Sequence, residues 1–426
     1  HCGLRYDKSL PSLGRDNQSM KKQVLVAGGG IGGLAAALGA SRAGWDVRLY
    51  ERAAAFSEVG AGVQIGPNVV RRLQAWGLQQ ALQAVAAFPG RLQVRNAVSG
   101  RELAVLPLGP TAVERYGAAY ATIHRADLHG LLLQGVTQGT DAQLHLDHAI
   151  DRFADNGEVV TVRTSRGKEV EGDALIGADG LWSRTRTQLL ANTGGGVPPR
   201  VTGHLAYRAL VPQQALPEAL RTTQVTAWLG PRLHAVQYPV RRGELQNIVV
   251  IVQGPAPQDL ENWDHAANAA GLDHALQGTC TALQDLVRGV SDHALAGWRL
   301  WPLCDRPPVR AADEMARGLV GLLGDAAHPM RPYLAQGAGM AIEDAAELQR
   351  SLSMHDLEVP LRLTRYALNR WQRNARVQAR SIRNGRIFHA TGPVRWGRDG
   401  ALRLLGERLL DVPWLYRGDG AGASAL

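Results

Sequence analysis

Cysteine is scarce in this sequence, lysine is nearly missing, and no apolar run is long enough to cross a bilayer. The three cysteines, Cys2, Cys280 and Cys304, lie far apart and form no CxxC pair. That sets aside a disulfide scaffold and a metal centre, and it points to a reducing, cytoplasmic setting. Lysine occurs only at 8, 21, 22 and 168, so the formal charge of +9 comes from scattered arginines. A nucleic-acid partner would call for a basic helix or an aromatic–basic platform, and the chain has neither. No stretch approaches the roughly 18 apolar residues of a membrane span. Residues 1–19 are polar, precede Met20 and do not resemble a signal peptide. They are read as an extension that adds nothing to the fold.

What is plentiful is glycine, 49 residues in all, clustered at 28–33, 60–66 and 337–339. Such clusters mark loops where the backbone must approach a ligand closely. The length of 426 residues allows two or three cooperating domains around a sizeable core. Gln23–Ala27 reads as a short apolar strand, Leu34–Ala43 as an alanine-rich helix ended by Gly44, and Trp45–Tyr50 as a second strand. Residues 68–85 read as one helix, Asp127–Leu133 begins another, and Val159–Thr164 and Ala174–Gly177 are strands. Between about 200 and 255 the apolar period changes to two, over Val225–Leu229, Leu233–Val240 and Gln246–Gln253, as an antiparallel sheet requires. Residues 256–295 look helical, and Leu319–Leu323 returns as a strand. The stretch 341–390 is helical and rich in Arg and Gln, suited either to packing on the first domain or to a homodimer face; the tail after 391 reads as irregular. The expected organisation is a discontinuous nucleotide-binding domain (20–195 and 296–350), an inserted sheet domain (196–295) and a C-terminal helical region (351–426).

Between the first strand and helix, Gly28, Gly30 and Gly33 satisfy GxGxxG, and Glu51 ends the next strand 18 residues after Gly33. This is the full context of a dinucleotide-binding fingerprint. Gly28 makes the tight turn, Gly30 admits the pyrophosphate, and Gly33 lets helix and strand pack, with the helix N-terminus facing the phosphate charge. Glu51 would accept hydrogen bonds from ribose hydroxyls, with Arg52 beside it; an acid there disfavours a 2′-phosphate.

Two later segments narrow the reading: Ala174-Leu175-Ile176-Gly177-Ala178-Asp179-Gly180, and Gly324-Asp325-Ala326-Ala327-His328-Pro329 followed by Gln336-Gly337-Ala338-Gly339. With the opening fingerprint, these resemble the ordered motifs of the group A flavoprotein monooxygenases, the single-component aromatic hydroxylases, from about 22 to about 390. The resemblance implies an α/β fold with a Rossmann-type FAD-binding domain of the glutathione reductase kind, an inserted antiparallel substrate domain and C-terminal helices. It implies that Asp325 binds ribitol or ribose hydroxyls, and that Gly337, Ala338 and Gly339 present helix N–H groups to the flavin pyrimidine edge. Asp179 and Gly180 would touch both FAD and the nicotinamide cofactor, Arg186 would hold a pyrophosphate, and Gln64 would lie near the isoalloxazine. Arg125 matches a position contacting FAD, although an Arg paired with Asp127 at a helix start fits as well. No second GxGxxG and no CxxxxC follow, so NADH or NADPH would visit transiently.

In the strand Leu233–Val240, alternation puts His234, Val236 and Tyr238 on one face, with His234 and Tyr238 roughly 13 Å apart. The segment 228–239 is similar to the 3-hydroxybenzoate 6-hydroxylase branch of the family, and its His and Tyr spacing is shared with 6-hydroxynicotinate 3-monooxygenases. The resemblance implies a small phenolic or hydroxy-heteroaromatic carboxylic acid as substrate, hydroxylated by O2 through a flavin hydroperoxide. His234, from an unperturbed pKa near 6.5, would ionise the ring hydroxyl. Tyr238 would orient the substrate, and Tyr333 would line the pocket. Salicylate hydroxylase-type chemistry stays open, and so does a non-catalytic FAD-binding sensor; a halogenase would need a lysine-bearing pocket.

Overall fold

The computed structural model describes residues 21–56, 61–262, 265–266 and 269–418. The extension expected at 1–19 lies outside the described residues. Two sheets organise the chain. The first has six strands in the order Ala316–Arg317, Val320–Leu322, Ala174–Gly177, Gln23–Ala27, Asp46–Tyr50 and Gln143–His145. All its pairings are parallel except the terminal hairpin of Ala316–Arg317 with Val320–Leu322. Its central strands Gln23–Ala27, Ala174–Gly177 and Val320–Leu322 are nearly continuous apolar runs because they are enclosed by helices and by a three-stranded antiparallel sheet (Ile150–Asp155, Val160–Thr164 and Glu169–Gly172), whose Ile150, Val160, Val162 and Val170 join the same core. The alanine-rich helix Ile31–Arg42 has almost no exposed surface and packs closely on the later helix Gly337–Leu352.

The second sheet has eight strands: His265–Ala266, Arg299–Asp305, Arg200–Pro212, Leu245–Gln253, Leu233–Val240, Val225–Gly230, Arg91–Asn96 and Glu102–Pro107. It extends beyond the expected interval 196–295, recruiting a hairpin from 91–107 and the strand at 299–305. One face, with Tyr207, Leu233, Ala235, Ile248 and Val250, closes a separate core against the helices Ala269–Ala275 and Thr281–His293. The opposite face carries His234 and Tyr238 and looks toward the first sheet.

Three local expectations change. The helix expected over 68–85 is two, Pro67–Ala75 and Gln79–Val85, because the chain reverses at Gly77, which has a φ of +77°. Among the described residues of 256–295, the α-helices are Ala269–Ala275 and Thr281–His293. The tail after 391 is not irregular: Gly392–Leu405 is an amphipathic helix, followed by short turns at Glu407–Leu410 and Pro413–Tyr416. Its helical pattern is hard to read because Gly397 and Gly400 interrupt it. Among the described residues no helix is long and apolar enough to cross a membrane.

The helix Val359–Phe388 joins the two halves. Its 30 residues span about 45 Å at 1.5 Å per residue. Arg370, Asn374, Gln378, Ser381 and Asn384 recur every three or four residues, so they share one face, and all five are buried. Arg370 binds Asp344 at 2.7 Å and Glu343 at 3.0 Å. Asn374 donates to Asp344 at 3.0 Å. Gln378 and Asn384 donate to the carbonyls of Pro329 and Tyr333, both at 3.1 Å, and Ser381 donates to that of Arg331. The Arg- and Gln-rich pattern is therefore partly internal: this face secures the segment that follows the Gly324-Asp325 motif.

Asp344 is the hub. It accepts from Gly324 N–H at 3.1 Å and pairs with His328 at 2.5 Å. Burial alone would raise its pKa, but His328, Arg370 and Asn374 hold the carboxyl well below the usual range. A depressed carboxyl contributes stability that is complete above about pH 4 and is lost as pH falls through the folded pKa. Urea unfolding at pH 7 should show Arg370→Leu destabilised by about 3–5 kcal/mol, because two buried carboxylates lose a counter-charge. In the wild type, stability should decline below about pH 4.

Candidate active site

The nucleotide cleft is built where the strand Gln23–Ala27 hands over to the helix Ile31–Arg42. A side chain at Gly28 would meet the Ala178 carbonyl at 2.4 Å, and one at Gly33 would collide with the Gly28 carbonyl. A Cβ at Gly30 meets nothing within 4 Å. Two glycines are thus required by the protein's own packing, while the third leaves open space at a helix N-terminus, as a pyrophosphate needs. His129, which motif reading missed, fixes the loop through a 2.8 Å bond between its Nε2 and the Gly29 carbonyl. The Glu51 carboxylate accepts from Gly29 N–H at 2.6 Å and Ala53 N–H at 2.8 Å. Those bonds orient it, and each oxygen keeps a lone pair for a ribose hydroxyl. Arg52 is exposed beside it.

On the other wall, Gly337 opens the helix Gly337–Leu352, with Ala338 and Gly339 in its first turn. A Cβ at Gly337 also meets open space. Asp325 presents an exposed carboxylate. Desolvation by the surrounding protein raises its pKa against the opposing pull of His328, Arg125 and Arg186. Arg125 therefore sits within electrostatic reach of Asp325, while Asp127 takes Arg241 at 3.0 Å. Gly180 adopts a φ of +78° with open space at its Cβ position. The Asp179 carboxylate turns inward, accepting from Ser183 Oγ and, at 3.0 Å, from both the amide and hydroxyl of Thr185. Ser183 is the N-cap of the helix Arg184–Leu189, its Oγ accepting from Arg186 N–H at 2.9 Å, and Asp179 braces the same helix start.

Arg186 differs from expectation. Its guanidinium is buried and donates to the carbonyls of Ala326 at 2.9 Å, Leu181 at 2.6 Å and Asp325 at 3.3 Å. It ties the Asp179 and Asp325 segments together rather than reaching for a pyrophosphate. Burial and the nearby Arg306 lower its pKa to about 10.

Gln64 lies on the strand Gly62–Ile65 and accepts from the Tyr120 hydroxyl at 2.8 Å. This strand docks onto the substrate sheet: Gly62 N–H donates to Asn247 at 2.7 Å, and a Cβ at Gly62 would strike the Tyr238 ring at 2.5 Å. Tyr238 is thereby placed at the seam between cofactor and substrate halves, among Tyr120, Val240 and Met340. Burial pushes its phenol well above the ordinary tyrosine range, so it stays protonated.

His234 shares the face of Tyr238, as alternation requires, but packs in a different group. Its ring lies 5.2 Å from that of Tyr333, 5.4 Å from Phe388 and 5.0 Å from His389. Its Nδ1 is 2.7 Å from His389 Nε2. Tyr333 thus stands at the His234 end, and its hydroxyl meets His204 Nδ1 at 2.6 Å. Burial, then His389 and His204, lower the His234 pKa well below 6.5, so the ordinary value used in the sequence argument does not apply. At neutral pH His234 is an uncharged imidazole.

Between these two side chains the register aligns Ala227, Val236, Val249 and Arg208 across four strands. Ala227, Val236 and Val249 are partly accessible where almost all their neighbours in the same strands are buried. They form an apolar floor flanked by His234 on one side and Tyr238 on the other. The row ends at the buried Arg208, whose guanidinium lies over the Trp301 ring at 5.4 Å. Arg208, His204 and His389 carry no motif, and only strand register and helix docking bring them here. The glycine geometry predicts that Gly30→Val folds but loses FAD in absorbance and equilibrium-dialysis measurements, whereas Gly33→Val fails to give folded protein.

The FAD binding domain family profile matches residues 21–381. A 3-hydroxybenzoate 6-hydroxylase of Polaromonas naphthalenivorans (strain CJ2) is 36% identical over 396 residues, covering 92% of this chain and 95% of its own. A 6-hydroxynicotinate 3-monooxygenase of Bordetella bronchiseptica is 36% identical over 366 residues, covering 84% and 90%. A salicylate hydroxylase solved as a substrate complex superposes with a TM-score of 0.79 at 27% identity, over 94% of this chain and 97% of that one. The glycine cradle fits the cofactor, and the chain belongs to the FAD binding domain family, among its FAD-dependent aromatic hydroxylases.

Proposed function

We propose that this enzyme hydroxylates a small phenolic or hydroxy-heteroaromatic carboxylic acid, with 3-hydroxybenzoate as the leading substrate and NAD(P)H and O2 as co-substrates. The observation that carries this reading is the accessible row Ala227–Val236–Val249 between His234 and Tyr238. An aromatic ring lies flat on such a floor, and the two polar side chains reach its edges. The relatives named for 3-hydroxybenzoate and 6-hydroxynicotinate support a hydroxylated ring acid.

Bound FAD supplies the oxygen-activating chemistry; Gly30, Glu51, Asp325 and the start of the helix Gly337–Leu352 would hold it. The ring attacks faster when its hydroxyl is ionised, so a base at that oxygen accelerates transfer. His234, neutral and enclosed, accepts the hydroxyl proton at Nε2, since Nδ1 faces His389. Tyr238, still protonated, donates to an oxygen function of the substrate. Arg208, at the end of the row, provides positive potential for the carboxylate. The enclosing rings of Tyr333 and Phe388 exclude water. We place the enzyme in a reducing, cytoplasmic compartment, where Cys280 and Cys304, free in the structure, remain thiols.

The test is NADH oxidation by FAD-loaded protein with 3-hydroxybenzoate, salicylate or 6-hydroxynicotinate, with products identified by chromatography. Stimulation by 3-hydroxybenzoate with formation of 2,5-dihydroxybenzoate is expected. An equal, slow rate with every ring would sink the aromatic-acid reading. His234→Ala should lower hydroxylated product by about 10²-fold while NADH is still consumed.

A further inference from the structure

His389 belongs to no motif. It follows the last residue of the helix Val359–Phe388, yet it meets the candidate base directly: His234 Nδ1 and His389 Nε2 are 2.7 Å apart, and both rings are buried. The contact is anchored on both sides. The His389 carbonyl accepts from Arg232 N–H at 3.1 Å, in the turn leading into the His234 strand. Arg398 donates to the carbonyl of Phe388 at 2.8 Å, and neighbouring Asp399 accepts from Asn96 on the substrate sheet at 2.6 Å. The end of the long helix is thus fastened to the strand that carries His234. A packing role alone needs no nitrogen-to-nitrogen bond, and burying an imidazole pair is costly when a phenyl ring would fill the space.

We infer that His389 is a positioning residue for the base: it fixes the ring of His234, selects the tautomer whose Nε2 lone pair faces the substrate hydroxyl, and takes up the Nδ1 proton as that hydroxyl ionises. The inference rests on the reading of His234 given above.

A single proton lies between the two nitrogens. When it sits on His234 Nδ1, Nε2 is free to accept; when it sits on His389, Nε2 carries hydrogen and cannot. In the reacting step the substrate O–H bond breaks and its proton bonds to His234 Nε2. The His234 Nδ1–H bond breaks as that proton bonds to His389 Nε2. The products are a phenolate and an imidazolium on His389, so atoms and charge balance. Every group facing the pair bears on this charge. Burial and the adjacent His204, Arg398 and Arg331 lower the His389 pKa to about 3, so the cation is short-lived. Tyr333 and Phe388 contribute uncharged walls. The remaining neighbour, His204, has its ring 4.8 Å from that of His389 and is half-exposed, which marks the outward side.

The test compares wild type with His389→Phe, which keeps a ring but no nitrogen, and His389→Gln, which keeps an acceptor at similar reach but cannot take the proton. FAD content and urea unfolding establish that each variant is folded. With 3-hydroxybenzoate, His389→Phe should lower kcat for hydroxylation by about tenfold or more with KM nearly unchanged, and move the acid limb of activity to higher pH. Carbon-13 spectra of bound, ring-labelled 3-hydroxybenzoate should show the hydroxyl ionising at higher pH in His389→Phe, with His389→Gln between the two. Unchanged pH profiles and unchanged ionisation overturn the inference. If no ring acid stimulates or binds the wild type, the substrate reading has failed, and nitrogen-15 spectra of the FAD-loaded protein still decide the pairing. His234 should be protonated at Nδ1 in the wild type and lose that selection in His389→Phe; the same tautomer in both overturns the inference whatever the substrate.

Discussion

The buried face of the helix Val359–Phe388 is the constraint on which the rest depends. Between the helical turns Gly324–Ala326 and Pro332–Leu334 and the helix Gly337–Leu352 the chain has little regular secondary structure, so its carbonyls need partners from elsewhere. Gln378, Ser381 and Asn384 supply them to Pro329, Arg331 and Tyr333, while Arg370 and Asn374 grip Asp344, which in turn holds Gly324 and His328. One helix face therefore sets the path of the segment 324–336, the position of Tyr333 and, at its far end, the position of His389. Because the partners are polar and enclosed, removing any one leaves others unsatisfied, and the arrangement has a single register.

The sheet face between His234 and Tyr238 combines low polarity with a few polar groups. Tyr238 stays protonated because its phenol is buried, and His234 stays neutral for the same reason acting with opposite sign on a base. A donor and an acceptor are thus available together at neutral pH on one apolar floor. The strands that carry them are stiffened from behind by the second core, with Leu233 and Ala235 facing its helices.

The sequence made legible whatever depends on neighbours in the chain. Gly28, Gly30 and Gly33 with Glu51 are a local pattern, and so is the alternation that put His234 and Tyr238 on one face. The family resemblance added Asp325 and the Gly337 helix start. What escaped was set by distant packing. The resemblance implies a pyrophosphate partner for Arg186, yet its guanidinium is surrounded by carbonyls. The hairpin at 91–107 joins the substrate sheet through a parallel pairing with Val225–Gly230, which alternation within either strand cannot reveal. The helix Gly392–Leu405 was hidden by its glycines, and with it the anchoring of His389. The pKa of His234 was misjudged because burial is a property of the assembled interior.

The bond between His234 and His389 joins residues 155 positions apart. At the usual pace of protein synthesis, some 5–20 residues per second, the imidazole of His234 waits roughly 8–30 s before its partner exists. The substrate strand can pair with its neighbours during that interval, since they precede it or follow closely. The flavin cleft cannot close, because Asp325 and Gly337 are also still to come. Assembly therefore has an order written into the chain: the sheet first, the cofactor cradle next, and the chemical environment of the reacting group last. The surroundings of His234 are complete only once the helix Val359–Phe388 and the residue that follows it have been made.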